Sequence, residues 1–447
     1  MIVHPIDYRY GTPEMKRIWS EESKLKRMIW VEIALLRALA KFGYLDFKEV
    51  EDVRKKSLNI SPKRIKEIES KIKHDVMAMV SAIVEKTGCR WIHFGATSND
   101  IVDTATATQL RDSILLIELK LKKLIKLLVD KAVNFKNIVC LGRTHGQAAL
   151  PTTYGFRFAV WASEFTRHFI RLQQLKERVL VGKMSGAVGT QAAFGEKGIE
   201  IEKEVMRILN LSPSIISTQI VPRDVYCEYI EFLANLATSL EKVALNFRLL
   251  QRAEVLELME RFEEKQVGSS TMPHKRNPIE CENICGLARI LRGLVEPQHQ
   301  SAILWEERDL TNSSAERIIL VESNVLIDHL LTKMIKVVQS LVLDFNKIKE
   351  NLEKQRGLNL SEAVMIALTI KGMSRQDAHE LLRKASLRAY EKGTSLLEEL
   401  LIEEEVRKFL TKEDLEEMLK PEKYIGTAVK RVEIVVNWIN KIIGNSL

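Results

Sequence analysis

Long apolar runs are what this sequence lacks most plainly. No stretch reaches the roughly 18 uninterrupted apolar residues of a membrane span. Ile114 to Val129 comes nearest and is broken by Lys120, Lys122, Lys123 and Lys126. The opening MIVHPIDYR has no apolar core of the kind a signal peptide needs, so a cytoplasmic location and no membrane partner are expected. Cysteine is scarce: Cys89, Cys140, Cys227, Cys281 and Cys285 are an odd set, widely spread, which argues against a disulfide framework and for a reducing compartment. Cys281 and Cys285 have no second pair nearby to complete a metal site, so they read as small buried thiols and no metal is expected. Proline is absent between residues 298 and 420, and alternation of apolar and polar residues is short and rare. Nothing therefore argues for a sheet, and the expected class is all-α. A basic tail is also missing. The 68 Lys and Arg are interleaved with 60 Asp and Glu, and a small anionic substrate accounts for the net charge of +8 better than nucleic acid does.

What is present is helix. The chain has 447 residues, enough for two or three domains, and its 46% hydrophobic and 29% charged residues suit a globular protein. Abundant Lys, Glu and Ile point to a thermophilic source. Amphipathic spacing predicts a helix over 14–42. Longer ones are predicted from the loop at 93–100 to about Lys136, over 152–181, from Asp224 onward and from Ser313 to about Asp344. Pro151 reads as the start of the second of these. Shorter helices follow from about Phe345, with Ser374 and Asp377, and Thr411 and Asp414, as start signals and Gly393 and Gly426 as breaks. The division expected is 1–97, 98–345 and 346–447.

The chemistry-bearing stretch is Gly268 to Pro278, GSSTMPHKRNP. Pro273, Pro278 and Gly268 exclude regular structure. Asn277 suits an N-cap, Pro278 the first helical position and Glu280 the third place of a capping box. Free backbone N–H groups at that helix start, with Lys275 and Arg276, would make a positive field able to stabilise a serine alkoxide at Ser269 or Ser270. Other polar loops stand elsewhere. Arg9-Tyr10 lies before the first amphipathic helix. Lys73-His74-Asp75 is more polar than a core face. His93 to Asp100 holds four N-cap residues, Thr97, Ser98, Asn99 and Asp100, where capping needs one, so hydroxyls there are free for a ligand. In Leu141 to Thr153, LGRTHGQAALPTT, His145 lies in a loop and not on an apolar face. The five glycines of 182–198 do not have the spacing of a dinucleotide fingerprint and read as a loop packed near the site. Arg308 and Arg317, with Ser313, can lie near one another and suit phosphate.

These motifs resemble, in order from about Tyr8 to Arg317, those of the fumarase/aspartase superfamily, and most of all its adenylosuccinate lyase branch. Gly146 and the Lys73-His74-Asp75 segment weigh against argininosuccinate lyase, the nearest alternative. Intact Ser269, His145 and Lys275 weigh against a non-enzymatic scaffold, and the lack of an aromatic-basic cluster against an RNA binder. The resemblance implies a three-domain fold around a long helical bundle, a homotetramer with active sites shared between subunits, and a nucleotide substrate that loses fumarate by β-elimination with no cofactor. It implies substrate contacts at Arg9, Tyr10, Lys73, His74, Asp75, His93, Thr97, Ser98, Thr144, Gln219, Ser270, Met272, Asn277, Arg308, Ser313 and Arg317. The base is Ser269 or Ser270, and the acid His145 or its rival His74, since imidazole titrates near neutral pH. Thr97, Ser98, Ser270, Lys275 and Asn277 face the developing carboxylate charge, and Glu282 orients the histidine or raises its pKa.

Overall fold

The computed structural model describes residues 3–444 and is all-α in its architecture, as the helical spacing and the scarcity of alternating runs predict. Its longest helices are Ser98–Asn134, Tyr154–Val179, Asp224–Leu250 and Thr311–Ser340. Contacts group the chain into two compact units. One comprises residues up to Leu121, His168–Glu241 and Ile284–Thr332; the other comprises Lys122–Arg167, Lys242–Asn283 and the chain from Lys333 on.

In the first unit, the helix Glu21–Lys41 buries Val31, Leu35, Leu36 and Leu39 in a core shared with Val76, Met79 and Ile83 of the helix Asp75–Thr87 and with Ile201 and Val205. The long helices here also bury pairs of polar groups. Tyr229 donates its hydroxyl to Asn324, 2.5 Å away. Arg223 donates to both oxygens of Asp103 (2.8 and 2.9 Å) and to Glu316 (2.9 Å). Burial of such charges is tolerated only with this pairing.

In the second unit, Phe158 stacks edge-on against Trp161, and Trp161 against Phe247. A separate C-terminal core is built from Val364, Leu368, Leu382, Leu396, Leu400 and Leu415. The C-terminal start signals hold: Ser374 accepts from the Asp377 amide, Thr411 and Asp414 form a reciprocal capping box, and Gly393 closes its helix in the left-handed region.

Three expectations are corrected. The helix predicted over 14–42 is two helices, Pro13–Trp19 and Glu21–Lys41, because Ser20 adopts an extended backbone and caps the second by accepting from the Ser23 amide. The stretch 139–153 is not loop followed by helix. Val139–Thr144 (β1) and Gln147–Thr153 (β2) pair antiparallel, and the next helix starts at Tyr154. The reason is the turn. His145 and Gly146 both have positive φ, 53° and 75°, as a two-residue turn matched to strand twist requires. Finally, two short pairings, Val181–Gly182 with Ser212–Pro213 and Leu258–Met259 with Val342–Leu343, take up the expected ends of the helices over 152–181 and to about Asp344, which stop at Val179 and Ser340.

Candidate active site

The predicted residues fall into two sets, one in each compact unit. In the first, His74 is the N-cap of the helix Asp75–Thr87, and its Nδ1 accepts from the Met77 amide at 3.3 Å. That bond assigns the proton of the neutral ring to Nε2, which lies 3.5 Å from the hydroxyl of Ser98. Lys73, just before it, takes the left-handed conformation that ends the preceding helix. Asp75 meets Arg317 at 3.3 Å, so Lys73, His74, Asp75, Ser98 and Arg317 form one neighbourhood.

Arg308 gathers a second neighbourhood. It donates to Gln219 (3.0 Å) and Ser313 (2.6 Å), and with the Asn99 amide turned so that its oxygen faces the guanidinium, that oxygen lies 2.6 Å from Nη1. All three partners are neutral, and no carboxylate pairs with Arg308 among the described residues. Burial lowers its pKa from the usual arginine value, although Asp103 opposes that. A half-buried cation held only by neutral groups is a ready partner for an anion such as phosphate.

The remaining loop residues divide between structure and surface. His93 is tied to the fully buried Glu32 through its amide (2.9 Å) and its Nδ1 (2.7 Å). Burial disfavours the imidazolium, but the hydrogen bond and charge of Glu32 outweigh it and hold the His93 pKa above its ordinary value. Of the four N-cap residues, Asp100 is buried. It accepts from the Thr97 amide (2.7 Å) and the amides of Ser185 and Gly186 (2.9 and 3.0 Å), and from the buried ammonium of Lys183 (2.5 Å). Asn99 serves Arg308, which leaves the half-buried Thr97 and Ser98 as the ligand-facing candidates. Tyr10 packs edge-on against His329, whose Nδ1 accepts from the Gly11 amide, while Arg9 is exposed.

In the second unit, Thr144 and His145 are exposed at the tip of the hairpin. Its base is fixed by Glu257, fully buried, which accepts from Arg143 (2.6 Å), Tyr154 (2.7 Å) and Asn351 (2.9 Å). Burial would raise the pKa of Glu257, but its donors, Arg143 first, hold it below the usual carboxylate value. A bulge between Leu141 and Arg143 completes the hairpin. Gly142 permits it, since a Cβ there would lie 2.4 Å from the Leu150 carbonyl oxygen.

The stretch 268–278 is irregular, as predicted, and Ser269 lies at its centre. Its Oγ accepts from the backbone amides of Thr271 (3.2 Å) and Met272 (3.0 Å). Two N–H groups aimed at one hydroxyl oxygen are the arrangement that stabilises an alkoxide. Ser270, Lys275 and Met272 are exposed, and Asn277 donates its amide to the Gly268 carbonyl at 2.8 Å. That last bond corrects the capping expectation. With the Asn277 amide turned to Gly268, the amides of Glu280 and Cys281 are capped instead by Glu260 (3.2 and 2.7 Å), and Glu280 pairs with Lys333. Glu282 is exposed, and no hydrogen bond joins it to His145 among the described residues. Sequence reasoning missed Lys183, Glu257 and Glu260. Lys183, one charge in a run of glycines and small residues, carried the only signal.

A profile of the family described as Lyase matches residues 7–293, and one described as Adenylosuccinate lyase C-terminus matches 357–435. The adenylosuccinate lyase of Archaeoglobus fulgidus is 71% identical over 99% of this chain and 100% of the relative. That of Methanocaldococcus jannaschii is 50% identical over 98% and 96%. Among solved structures, a fumarate lyase from Mesorhizobium sp. BNC1 is similar at a TM-score of 0.88 and 31% identity, covering 96% of this chain and 98% of that one. A 3-carboxy-cis,cis-muconate lactonizing enzyme from Pseudomonas putida is similar at 0.89 and 29%, covering 98% and 99%. Long helices carrying their polar loops at such positions are thus those of a lyase of the fumarase/aspartase superfamily. Within that superfamily, the chain belongs to the adenylosuccinate lyase family.

Proposed function

We propose that this protein cleaves adenylosuccinate to AMP and fumarate, and in the same way cleaves the succinylcarboxamide ribotide of purine synthesis to the aminoimidazole carboxamide ribotide and fumarate. In this β-elimination a base takes the proton from the carbon beside a carboxylate of the succinyl group. The electron pair left behind forms the new carbon–carbon double bond as the carbon–nitrogen bond breaks, and an acid delivers a proton to the departing nitrogen. The observation that carries the reading is the oxygen of Ser269, cradled by the amides of Thr271 and Met272. An alkoxide so stabilised is a competent base, and Ser270 has no such cradle among the described residues. His145, exposed at a rigid turn, is the acid, with His74 as its rival. Thr97, Ser98, Lys275 and Asn277 stabilise the carboxylate charge that grows during proton removal. Arg308 and Arg317, with Gln219 and Ser313, hold the phosphate, while Arg9, Tyr10, Lys73, Asp75, His93, Thr144 and Met272 shape the rest of the nucleotide site and Glu282 orients the acid.

The same reading makes the protein a cytoplasmic homotetramer with sites shared between chains, its domains divided as 1–97, 98–345 and 346–447. Support for assembly comes from large apolar side chains left exposed along helices: Leu115 and Leu119, one turn apart, together with Ile290 and Ile318. The test is direct. The purified protein, given adenylosuccinate or argininosuccinate, should release fumarate and AMP from the first and nothing from the second. Ser269→Ala should bind substrate and lose turnover by about 10²-fold or more; turnover within a few-fold of the parent would remove Ser269 from the base role.

A further inference from the structure

Ser269 sits on a loop with no regular structure of its own, and most of its neighbours from Ser270 to Arg276 are exposed. A general base must come within hydrogen-bond reach of the proton it takes, about 2.6–3.2 Å, and a misplacement of about 1 Å can cost about 10²-fold. Such placement has to be imposed from the base of the loop. Two side chains meet there. Gln251, just beyond the helix Asp224–Leu250, accepts from the Glu260 amide at 2.9 Å and donates from its own amide to the Arg276 carbonyl at 3.1 Å. Glu260, where the chain enters the loop, accepts from the amides of Glu280 and Cys281 at 3.2 and 2.7 Å, where the chain leaves it. A carboxylate at that helix N-terminus also complements the helix dipole. Entry and exit are therefore joined by four hydrogen bonds from two side chains. Further in, the Asn277 amide bonded to Gly268 pinches the loop just before Ser269, and Gly268 lets the Lys275 carbonyl come too close for any side chain.

We propose that Gln251 and Glu260 form a clasp that fixes the base of the Ser269 loop, and that they are positioning residues for the elimination. This rests on the reading of Ser269 as the base. Neither residue touches the reacting atoms. The clasp removes freedom from the loop where it leaves and rejoins the helical frame, so that the Ser269 oxygen meets its proton without a search through loop conformations. If the two side chains served only to cap the helix Ile279–Gly293, their loss would lower stability and leave chemistry alone.

The full-length enzyme carrying Gln251→Ala, Glu260→Ala or the milder Glu260→Gln should be compared with the parent in steady-state kinetics and in limited tryptic digestion. Arg261, Lys265, Lys275 and Arg276 supply cleavage sites within the loop. Gln251→Ala and Glu260→Ala should lower kcat about 10-fold to 100-fold, change KM by no more than about three-fold, and speed cleavage at the loop sites. Glu260→Gln, which keeps one acceptor oxygen, should recover part of kcat. Gln251→Glu keeps the acceptor for the Glu260 amide but turns an oxygen to the Arg276 carbonyl, and should not recover. Folded Gln251→Ala and Glu260→Gln proteins with parental kcat and parental loop cleavage would overturn the clasp, as would a lowered melting temperature without either change. Ser269→Ala run alongside separates the two ideas. If it retains turnover, the base assignment falls, and loop cleavage alone then decides whether the clasp exists.

Discussion

The fully buried carboxylate of Glu257 meets the guanidinium of Arg143, which is 20% exposed, at 2.6 Å, two residues before His145. Glu257 also takes the hydroxyl of Tyr154 and the amide of Asn351, so one buried charge fixes the hairpin, the helix that follows it and the helix Phe345–Glu353. Glu257→Ala leaves the Arg143 charge and the other two donors without their partner. A loss of about 3–5 kcal/mol is expected for breaking a buried pair in this way. Urea unfolding of the two proteins checks it. A loss below about 1 kcal/mol would mean that water replaces the carboxylate and that the hairpin is not anchored there.

His93 provides a pH dependence with a definite sign. Its folded pKa is raised above the ordinary value of about 6.5, because Glu32 outweighs burial. The stability it contributes is therefore complete below the unfolded value and is lost as pH rises through the higher folded value. The melting temperature of the parent should exceed that of His93→Gln by most near pH 5.5, and the gap should narrow steadily toward pH 9 (both pH values about, spanning the usual histidine range). A gap that widens with pH would mean that His93 is neutral in the fold.

The sequence offers Arg308 and Arg317 together as phosphate ligands, and the structure gives them different surroundings. Arg317 is largely exposed and already meets Asp75, whereas Arg308 is half-buried among neutral partners. Phosphate lies far from the breaking bond and contributes mainly uniform binding, so its loss acts on KM. Arg308→Ala should raise KM for nucleotide substrates by about 10-fold or more, the size of a charge-assisted hydrogen bond or two, and by more than Arg317→Ala does. Arg308→Lys should restore little, since an ammonium cannot reach Asn99, Gln219 and Ser313 as a planar fork does. Equal effects from the two alanine variants would return them to equivalence.

The residues legible in the sequence were those whose chemistry is local. Gly268 to Pro278 could not be helix or strand, and the caps at Ser374 and Thr411 follow from side chains within three positions. The helical class followed from spacing alone. What escaped was set by partners distant in the chain. Glu260 caps a helix that starts almost twenty residues later, Lys183 meets Asp100 across 83 positions, and Glu257 meets Arg143 across 114. Nothing local marks such a carboxylate as buried. The hairpin escaped for another reason. His-Gly is not a common turn pair, and only the positive φ at His145 shows that it serves as one. Ser20 was the reverse case, a cap hidden inside a continuous amphipathic pattern.

The shared site remains the prediction with the widest reach. His74 belongs to one compact unit, and His145 and Ser269 to the other, each held by its own local framework. The helix that begins at Ser98, beside His74, has 37 residues and so extends for about 55 Å at 1.5 Å per residue. Motifs carried at the ends of elements this long are brought together most simply when neighbouring chains supply different ends. Complementation tests this. An inactive His74→Ala or His145→Ala chain is mixed with an inactive Ser269→Ala chain, dissociated under mild denaturant and reassociated. If serine and histidine come from different subunits, some hybrid sites contain both intact groups, and activity should return to a sizeable fraction of the parent. Recovery with one histidine variant and not the other would show which histidine crosses the interface. If sizing confirms hybrid tetramers and no activity returns with either, each chain builds its own site and the shared arrangement is wrong.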